Sequence, residues 1–153
     1  MISILRISIF LAISLLAGGV AANGDKTAAT RFGTLAITGD IGSMSLFFNG
    51  KKLSADADSL GMSFRDKYDL GDKDTVLVID EVSATCQLYF FITVAGKADV
   101  KISSTFGTCD DSPKIVRSGE KIVLRMKDTK GRNVKYIFEN DVISENGKIL
   151  KAQ

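Results

Sequence analysis

The feature that most constrains the fold of this chain is the alternation of apolar and polar residues in its final third. Every second residue is apolar from Lys121 to Lys127, and the same period recurs from Asn133 to Glu139. A period of two is that of a β-strand, whose successive side chains point to opposite faces. Each strand therefore has one apolar face and one mostly charged face, which is typical of an antiparallel sheet with one solvated side.

The same period appears elsewhere, and no sustained helical pattern follows the first twenty or so residues. The run Met44–Phe48 alternates before Asn49-Gly50, a pair that favours a tight hairpin turn. The run Thr75–Asp80 is apolar on both faces and predicts a central strand. The stretch Leu53–Leu70 fits a loop or one turn of helix. We expect an all-β fold of eight to ten strands, an antiparallel sandwich or small barrel built from hairpins and a C-terminal meander.

The amino terminus has the layout of a secretory signal. Arg6 precedes the apolar run Ile7–Ala17, and small residues follow up to Ala22. The apolar part is shorter than the roughly 20 residues that span a bilayer. We therefore expect a signal peptide at 1–22, a flexible start at 23–32 and one β domain at 33–153, with no membrane span after cleavage. The expected location is periplasmic or secreted.

Cys86 and Cys109 are the only cysteines, and an even number in an exported chain favours a disulfide. Cys86–Val94 and Val100–Phe106 predict a hairpin in which Val94 faces Val100. Continued without interruption, that register leaves Cys86 one residue short of Cys109. A one-residue bulge at Gly107 would bring the two together. Closing this loop would stabilise the fold by roughly 3 kcal/mol.

Three runs together resemble uncharacterised exported β proteins of Gram-negative bacteria. They are the aspartate-led strand from Gly71 to Val78, the aromatic strand that starts at Cys86, and the Phe106-Gly107-Thr108-Cys109 corner. The resemblance extends from about Gly71 to Met126. It implies an exported β protein with one disulfide, and it implies no activity.

The chain contains no histidine, which excludes histidine-based nucleophilic catalysis and histidine-ligated zinc. With both cysteines paired, thiol chemistry and cysteine-bound metals are also excluded. We therefore predict no catalytic residue, metal site or cofactor. Carboxylates remain as an alternative, since a pair of acids suffices for glycoside hydrolysis. The candidates are Asp56, Asp58, Asp66, Asp69, Asp72, Asp74, Asp80, Glu81, Asp110 and Asp111.

Charge is unevenly distributed along the chain. Residues 23–111 hold 9 basic and 13 acidic residues, whereas residues 112–153 hold 10 basic and 5 acidic residues. Either the two parts neutralise each other, or the second part presents a basic face to an acidic partner. The residues of this candidate face are Arg117, Lys121, Arg125, Lys127 and Lys135. The mature chain is close to neutral overall, which argues against general nucleic-acid binding.

Aromatic residues offer a second candidate surface. Tyr89 and Phe91 lie on the face of their strand opposite Phe90, and Phe47 precedes the Asn49-Gly50 turn. If both faces of the strand are covered, Tyr89 and Phe91 belong to the core; if one is open, the three aromatics form a binding patch. The leading hypothesis is an exported, non-enzymatic binding protein with a protein partner, such as an inhibitor or immunity-type protein against an envelope-acting enzyme. The alternatives are a carboxylate-dependent hydrolase and a carbohydrate-binding module.

Overall fold

The computed structural model describes residues 26–56 and 58–151, and the predicted signal peptide lies outside the described residues. The described residues form thirteen strands and no helix. They are arranged in three antiparallel sheets, none of which closes into a barrel. The predicted all-β fold is confirmed, and its sandwich form agrees with the structure. The strand count exceeds the prediction because the sequence does not predict the strands at Thr27–Thr30, Gly61–Leu70 and Val142–Glu145.

Each sheet is a meander in which strands adjacent in sequence are adjacent in space. The N-terminal sheet contains β1 (Thr27–Thr30), β2 (Gly33–Thr38), β3 (Met44–Phe48) and β4 (Lys51–Asp56). The central sheet contains β5 (Gly61–Leu70), β6 (Lys73–Ser83), β7 (Cys86–Val94) and β8 (Val100–Ile102). The C-terminal sheet contains β9 (Lys114–Ser118), β10 (Lys121–Lys127), β11 (Asn133–Glu139), β12 (Val142–Glu145) and β13 (Lys148–Ile149).

The central sheet is covered on both faces, so the molecule has three layers and two cores. One core joins the N-terminal sheet to the central sheet, through residues such as Leu35, Leu46 and Phe90. The other joins the central sheet to the C-terminal sheet, through residues such as Phe91 and Phe138. Burial on both faces explains why Val76–Ile79 of β6 and Leu88–Ile92 of β7 are uninterrupted apolar and aromatic runs.

A bulge in β5 lets this one strand contribute to both cores. The register between β5 and β6 shifts between Phe64 and Asp66, so Arg65 is an extra residue. Before the bulge, Met62 and Phe64 point into the core shared with the N-terminal sheet. After it, Leu70 points into the core shared with the C-terminal sheet. An unbroken period of two would place all three on one face.

β1 lies within the segment whose composition predicts a flexible start. It pairs with β2 over four residues. The turn that follows it is attached to the central sheet by Arg31, whose guanidinium and backbone NH both bind the carboxylate of Asp74 at 2.7–2.8 Å. Asp74 is only 1% exposed. Because a buried carboxylate requires a partner, this ion pair ties the first hairpin to the central sheet.

The predicted disulfide between Cys86 and Cys109 is present. The predicted pairing of Val94 with Val100 is also present. The bulge lies elsewhere, because the chain leaves the sheet after Ser103 and Phe106 pairs with Tyr89, whereas the register set by Val94 and Val100 would pair it with Leu88. This slip turns the Phe106 ring into the aromatic core, 5.0 Å from Tyr136. The extra residue therefore falls between Ser103 and Phe106, ahead of the predicted position at Gly107.

Candidate functional site

The outward face of the C-terminal sheet carries the most distinctive exposed chemistry among the described residues. Its inward residues, such as Leu124 and Tyr136, fill the aromatic core. Its outward residues lie in rows that run across the strands, because directly paired residues on neighbouring strands share a face. Two of these rows have consistent chemistry, one apolar and one basic.

The first row is an apolar stripe. Val123 pairs with Val116 on one side and with Ile137 on the other, and the row continues through Ser144 to Ile149. We call Val116, Val123, Ile137 and Ile149 the apolar stripe. Its ends are open to solvent, with Val116 41% and Ile149 65% exposed. Ordinary folding does not require large aliphatic side chains on the solvated face of an outer sheet.

A shallow hollow widens one end of the stripe. It has a volume of about 310 Å³ and lies over β11, β12 and β13. Ile137, Val142 and Ile149 supply its apolar walls, and Glu139 and Asn140 border it. A hollow of this size accepts an apolar side chain from a second molecule.

The second row is basic. Arg125 pairs with Lys114 on β9 and with Lys135 on β11, so three cations lie side by side on neighbouring strands. We call Lys114, Arg125 and Lys135 the basic row. None of the three forms an ion pair with another described residue. Like charges placed directly opposite each other on a sheet are destabilising, so folding alone does not account for this row.

The structure brings together only part of the predicted basic face. Arg125, Lys127 and Lys135 share the outward face of the C-terminal sheet. Lys121 lies on the same face but pairs with Glu139 at 3.2 Å. Arg117 points elsewhere, and its guanidinium donates hydrogen bonds to the backbone carbonyls of Asp69 and Gly119. Arg117 therefore attaches β9 to the central sheet.

Lys114 was not among the residues predicted for this face. The signal that identifies it is the Gly119-Glu120 turn, which fixes the β9–β10 register and so places Lys114 opposite Arg125. Within the described residues, the ion pairs that join the two parts of the chain link Lys73 and Lys101 to Asp141. Both lysines belong to residues 23–111, the part of the chain with excess acidic residues, so these ion pairs do not involve the predicted basic face. Ion pairs between the two parts of the chain therefore do not neutralise that face.

The candidate aromatic patch is not a surface at two of its three positions. Tyr89 and Phe91 are both 0% exposed, because the C-terminal sheet covers that face of β7. The Tyr89 hydroxyl donates a hydrogen bond to the carbonyl of Asp110 at 3.0 Å, and burial raises the pKa of that phenol. Phe47 is half-buried on the outward face of the N-terminal sheet, far from the other two in the fold. The three aromatics do not form one patch.

A groove beside the Phe106 corner contains three carboxylates. It has a volume of about 480 Å³, and its walls include Asp58, Asp80, Glu145 and Tyr136. Burial and the nearby Glu145 carboxylate raise the pKa of Tyr136 to about 12. Asp58 and Asp80 were candidate acids on sequence grounds, whereas Glu145 was not. Only the fold, by placing β12 against this corner, brings the three together.

Several other candidate acids have structural roles. Asp69 and Asp74 bind Arg31, at 3.0 and 2.8 Å. Asp110 accepts hydrogen bonds from the backbone NH groups of Ser112 and Lys127 and so holds the corner next to Cys109. These contacts account for the three carboxylates without catalysis.

Within residues 26–56 and 58–151, no group of three or more carboxylates and cysteines is arranged to hold a metal ion. None of these described residues belongs to a helix long and apolar enough to cross a membrane. Both cysteines are consumed by the disulfide, so the chain has no free thiol. Such a bond is compatible with an oxidising location outside the cytoplasm.

No family model, curated protein or solved structure matches this chain. The disulfide that the resemblance implies is present, but no family match supports the grouping with uncharacterised exported proteins. What the outward face of the C-terminal sheet can bind therefore has to be inferred from its own side chains.

Proposed function

We propose that this chain is an exported, non-enzymatic binding protein whose partner docks on the outward face of the C-terminal sheet. The observation that carries this proposal is the basic row lying beside an exposed apolar stripe on one face of the C-terminal sheet. Apolar contacts supply affinity at such a surface, and the cations orient an acidic partner and accelerate its encounter. An inhibitor or immunity-type protein against an envelope-acting enzyme is the use that fits best.

The energetic cost of the basic row supports this proposal. Lys114, Arg125 and Lys135 repel one another across neighbouring strands, and the row lies two residues from large exposed aliphatic side chains. Both features work against stability and solubility. Features that cost stability are common at functional surfaces.

Export is supported by the amino-terminal sequence pattern and by the disulfide. The measurement is amino-terminal sequencing of the protein recovered from a fractionated cell. The expected result is a chain that begins at Asn23 in the envelope or medium fraction, with Cys86 and Cys109 resistant to alkylation. A full-length chain in the cytoplasmic fraction with alkylated cysteines would contradict export.

The binding proposal is tested by affinity capture from envelope extract with two matched variants. Arg125→Glu reverses the centre of the basic row, and Lys52→Glu makes the same charge change on the outward face of the N-terminal sheet, where Lys52 pairs with Phe47. A partner that is retained by the wild type and Lys52→Glu but lost by Arg125→Glu supports the proposal. Equal retention by all three proteins, or no specific partner, contradicts it.

A second candidate function is carboxylate-dependent hydrolysis in the groove beside the Phe106 corner. The observation in its favour is that Asp58, Asp80 and Glu145 border the same groove. The test is turnover of chromogenic glycosides across a range of pH, with Glu145→Gln as the variant. Turnover that is lost in Glu145→Gln supports hydrolysis, and equal rates in the two proteins contradict a role for this groove.

A further inference from the structure

The apolar stripe and the basic row together specify the shape of the partner's contacting segment. We infer that the partner presents an amphipathic α-helix with an acidic flank, laid across the strands of the C-terminal sheet. This inference rests on the proposed function and adds the chemistry and shape of the docked element.

The direction of the apolar stripe determines which shape can contact all of it. The apolar stripe runs perpendicular to the strands, from Val116 on β9 to Ile149 on β13. Strands of a twisted sheet rotate about an axis perpendicular to them, so the residues of one row stay near a straight line. A rod-shaped element can therefore contact the whole stripe, over about 19 Å given the usual spacing of about 4.8 Å between strands.

The spacing of the strands distinguishes a docked helix from a docked extended segment. An α-helix advances about 5.4 Å per turn, close to the strand spacing, so one apolar residue per turn meets one strand. A helix of about 13 residues spans the five strands. An extended segment repeats its side chains on one face only every ~6.8 Å. This repeat exceeds the strand spacing of about 4.8 Å, so successive side chains no longer meet successive strands after two residues.

The position of the basic row determines where the docked helix carries acidic residues. The basic row lies beside the apolar stripe, displaced by two residues along each strand, or about 7 Å. It occupies only β9, β10 and β11, whereas the hollow lies over β11, β12 and β13. The docked helix therefore carries acidic residues on one flank over two turns, and a large apolar side chain one or two turns further on.

Two other occupants fit less well. An anionic membrane lying on this face would contact Glu139, which borders the stripe on the side away from the basic row. A second copy of this chain would place basic rows of the same sign in one interface.

The test uses two synthetic, end-capped helical peptides of 16 residues with the same leucine face. One carries glutamates along one flank, and the other carries lysines at the same positions. Fluorescence anisotropy measures the binding of each to the wild type, to Arg125→Glu and to Lys52→Glu. Urea denaturation of each protein first verifies that it is folded.

We expect the glutamate peptide to bind the wild type and Lys52→Glu at least tenfold more tightly than the lysine peptide does. Arg125→Glu should lose that preference, and 500 mM salt should weaken glutamate-peptide binding at least tenfold. Equal binding of the two peptides, or no binding of either, overturns the inference. A random-coil polyglutamate of the same length that binds as tightly as the helical peptide also overturns the inference. Binding to vesicles of phosphatidylcholine and phosphatidylglycerol, without binding to the helical peptide, overturns it as well.

The failure of this inference is distinguishable from the failure of the proposed function. If no peptide binds but envelope capture still depends on Arg125, the binding face stands and its partner is not an acidic helix. If capture is also independent of Arg125, the proposed function falls as well.

Discussion

The two outer sheets pack against opposite faces of the same central strands, yet their own outward faces differ. On β2 and β3 the N-terminal sheet presents mostly small or hydroxyl-bearing side chains, namely Thr34, Ala36, Thr38 and Ser45, and the half-buried Phe47 and the exposed Lys52 lie on the same face. The C-terminal sheet presents the apolar stripe and the basic row. Covering the central sheet requires only a suitable inward face, and both outer sheets have one. The extra chemistry of the C-terminal outward face is therefore the feature that indicates binding.

The two cores differ as well. Phe91, in the core shared with the C-terminal sheet, contacts the rings of Phe138 at 4.4 Å and Phe106 at 5.8 Å. All three tyrosines of the chain lie in or against that core. The core shared with the N-terminal sheet is mainly aliphatic side chains and methionines, joined by Phe48, Phe64 and Phe90. The molecule thus concentrates its aromatic packing beneath the proposed binding face.

The largest expected effect comes from removing packing on one side of β7 at a time. Phe90 and Phe91 are consecutive residues whose side chains enter opposite cores. Phe91→Ala should reduce the free energy of unfolding by about 4–5 kcal/mol and Phe90→Ala by about 3 kcal/mol, because Phe91 also loses ring contacts. Urea denaturation measures both. A larger loss in Phe90→Ala would contradict the assignment of the aromatic core.

Removing the disulfide tests how the central sheet is joined to the corner at Cys109. The double variant Cys86→Ser/Cys109→Ser should lose about 3 kcal/mol, because the unfolded chain is no longer restricted by the loop. Urea denaturation with and without reductant measures the difference. If reduction leaves the wild-type midpoint unchanged, the bond is not formed or does not stabilise the fold.

Arg31 adds a buried ion pair to the apolar core that attaches the N-terminal sheet to the central sheet. Arg31→Ala removes the guanidinium from Asp74 and leaves a buried carboxylate without its cation. We expect a loss of about 2 kcal/mol, since Arg31 itself is partly solvated. Hydrogen exchange should show faster opening of β1 and β2 than of β10 and β11. Equal acceleration in all four strands would mean that Arg31 does not act locally.

The tyrosines provide a pH test of the aromatic core. The folded pKa of Tyr136 is raised to about 12 by burial and by the Glu145 carboxylate, and burial raises the pKa of Tyr68 and Tyr89 in the same direction. A tyrosine in the unfolded chain ionises near pH 10. Between pH 10 and 12 these tyrosines therefore stay protonated in the folded chain and ionise in the unfolded chain. The free energy of unfolding has its full value below pH 10 and falls between pH 10 and 12, by on the order of 1–2 kcal/mol.

Absorbance at 295 nm measures this titration. The folded protein should show little tyrosinate at pH 10, whereas the protein in denaturant should be about half ionised. Half-ionisation of the folded protein at pH 10 would show that the tyrosines are solvated and that the aromatic core is wrongly placed.

The smallest expected effect is a gain in stability. Arg125→Glu places an acid between Lys114 and Lys135 and converts two repulsive cross-strand pairs into attractive ones. Stability should rise by about 0.3–0.8 kcal/mol at low salt, whereas Lys52→Glu should change it by less than about 0.5 kcal/mol. If Arg125→Glu lowers stability, the argument that the basic row is costly fails.

The sequence predicts much of this fold because period-two patterns and Asn-Gly turns are local signals. Asn49-Gly50 and Asn146-Gly147 both form turns with positive φ angles, as their composition predicts. β5 could not be predicted in the same way, because its bulge at Arg65 moves its apolar residues from one core to the other. The position of Phe106 was missed for a related reason. Its slip is determined by tertiary packing, which no local pattern encodes.

The candidate site was predictable only in part. Arg125, Lys127 and Lys135 follow from alternation within their strands, whereas Arg117 pairs with the buried Ile122 and so lies on the inward face of β9, toward the central sheet. Lys114 becomes part of the basic row because β9 pairs with β10 in the register that places Lys114 opposite Arg125. The burial of Tyr89 and Phe91 depends on a sheet that begins more than twenty residues later. Which face of a strand is covered is a property of the whole chain.

Site-specific photo-crosslinking in the producing cells tests whether the partner docks on the outward face of the C-terminal sheet. A photoreactive residue replaces Val116, at one end of the apolar stripe, or Thr34, on the outward face of the N-terminal sheet. We expect a discrete cross-linked product from position 116 that disappears when Arg125→Glu is added, and no product from position 34. A product of equal yield from both positions, or from position 34 alone, would contradict docking on this face.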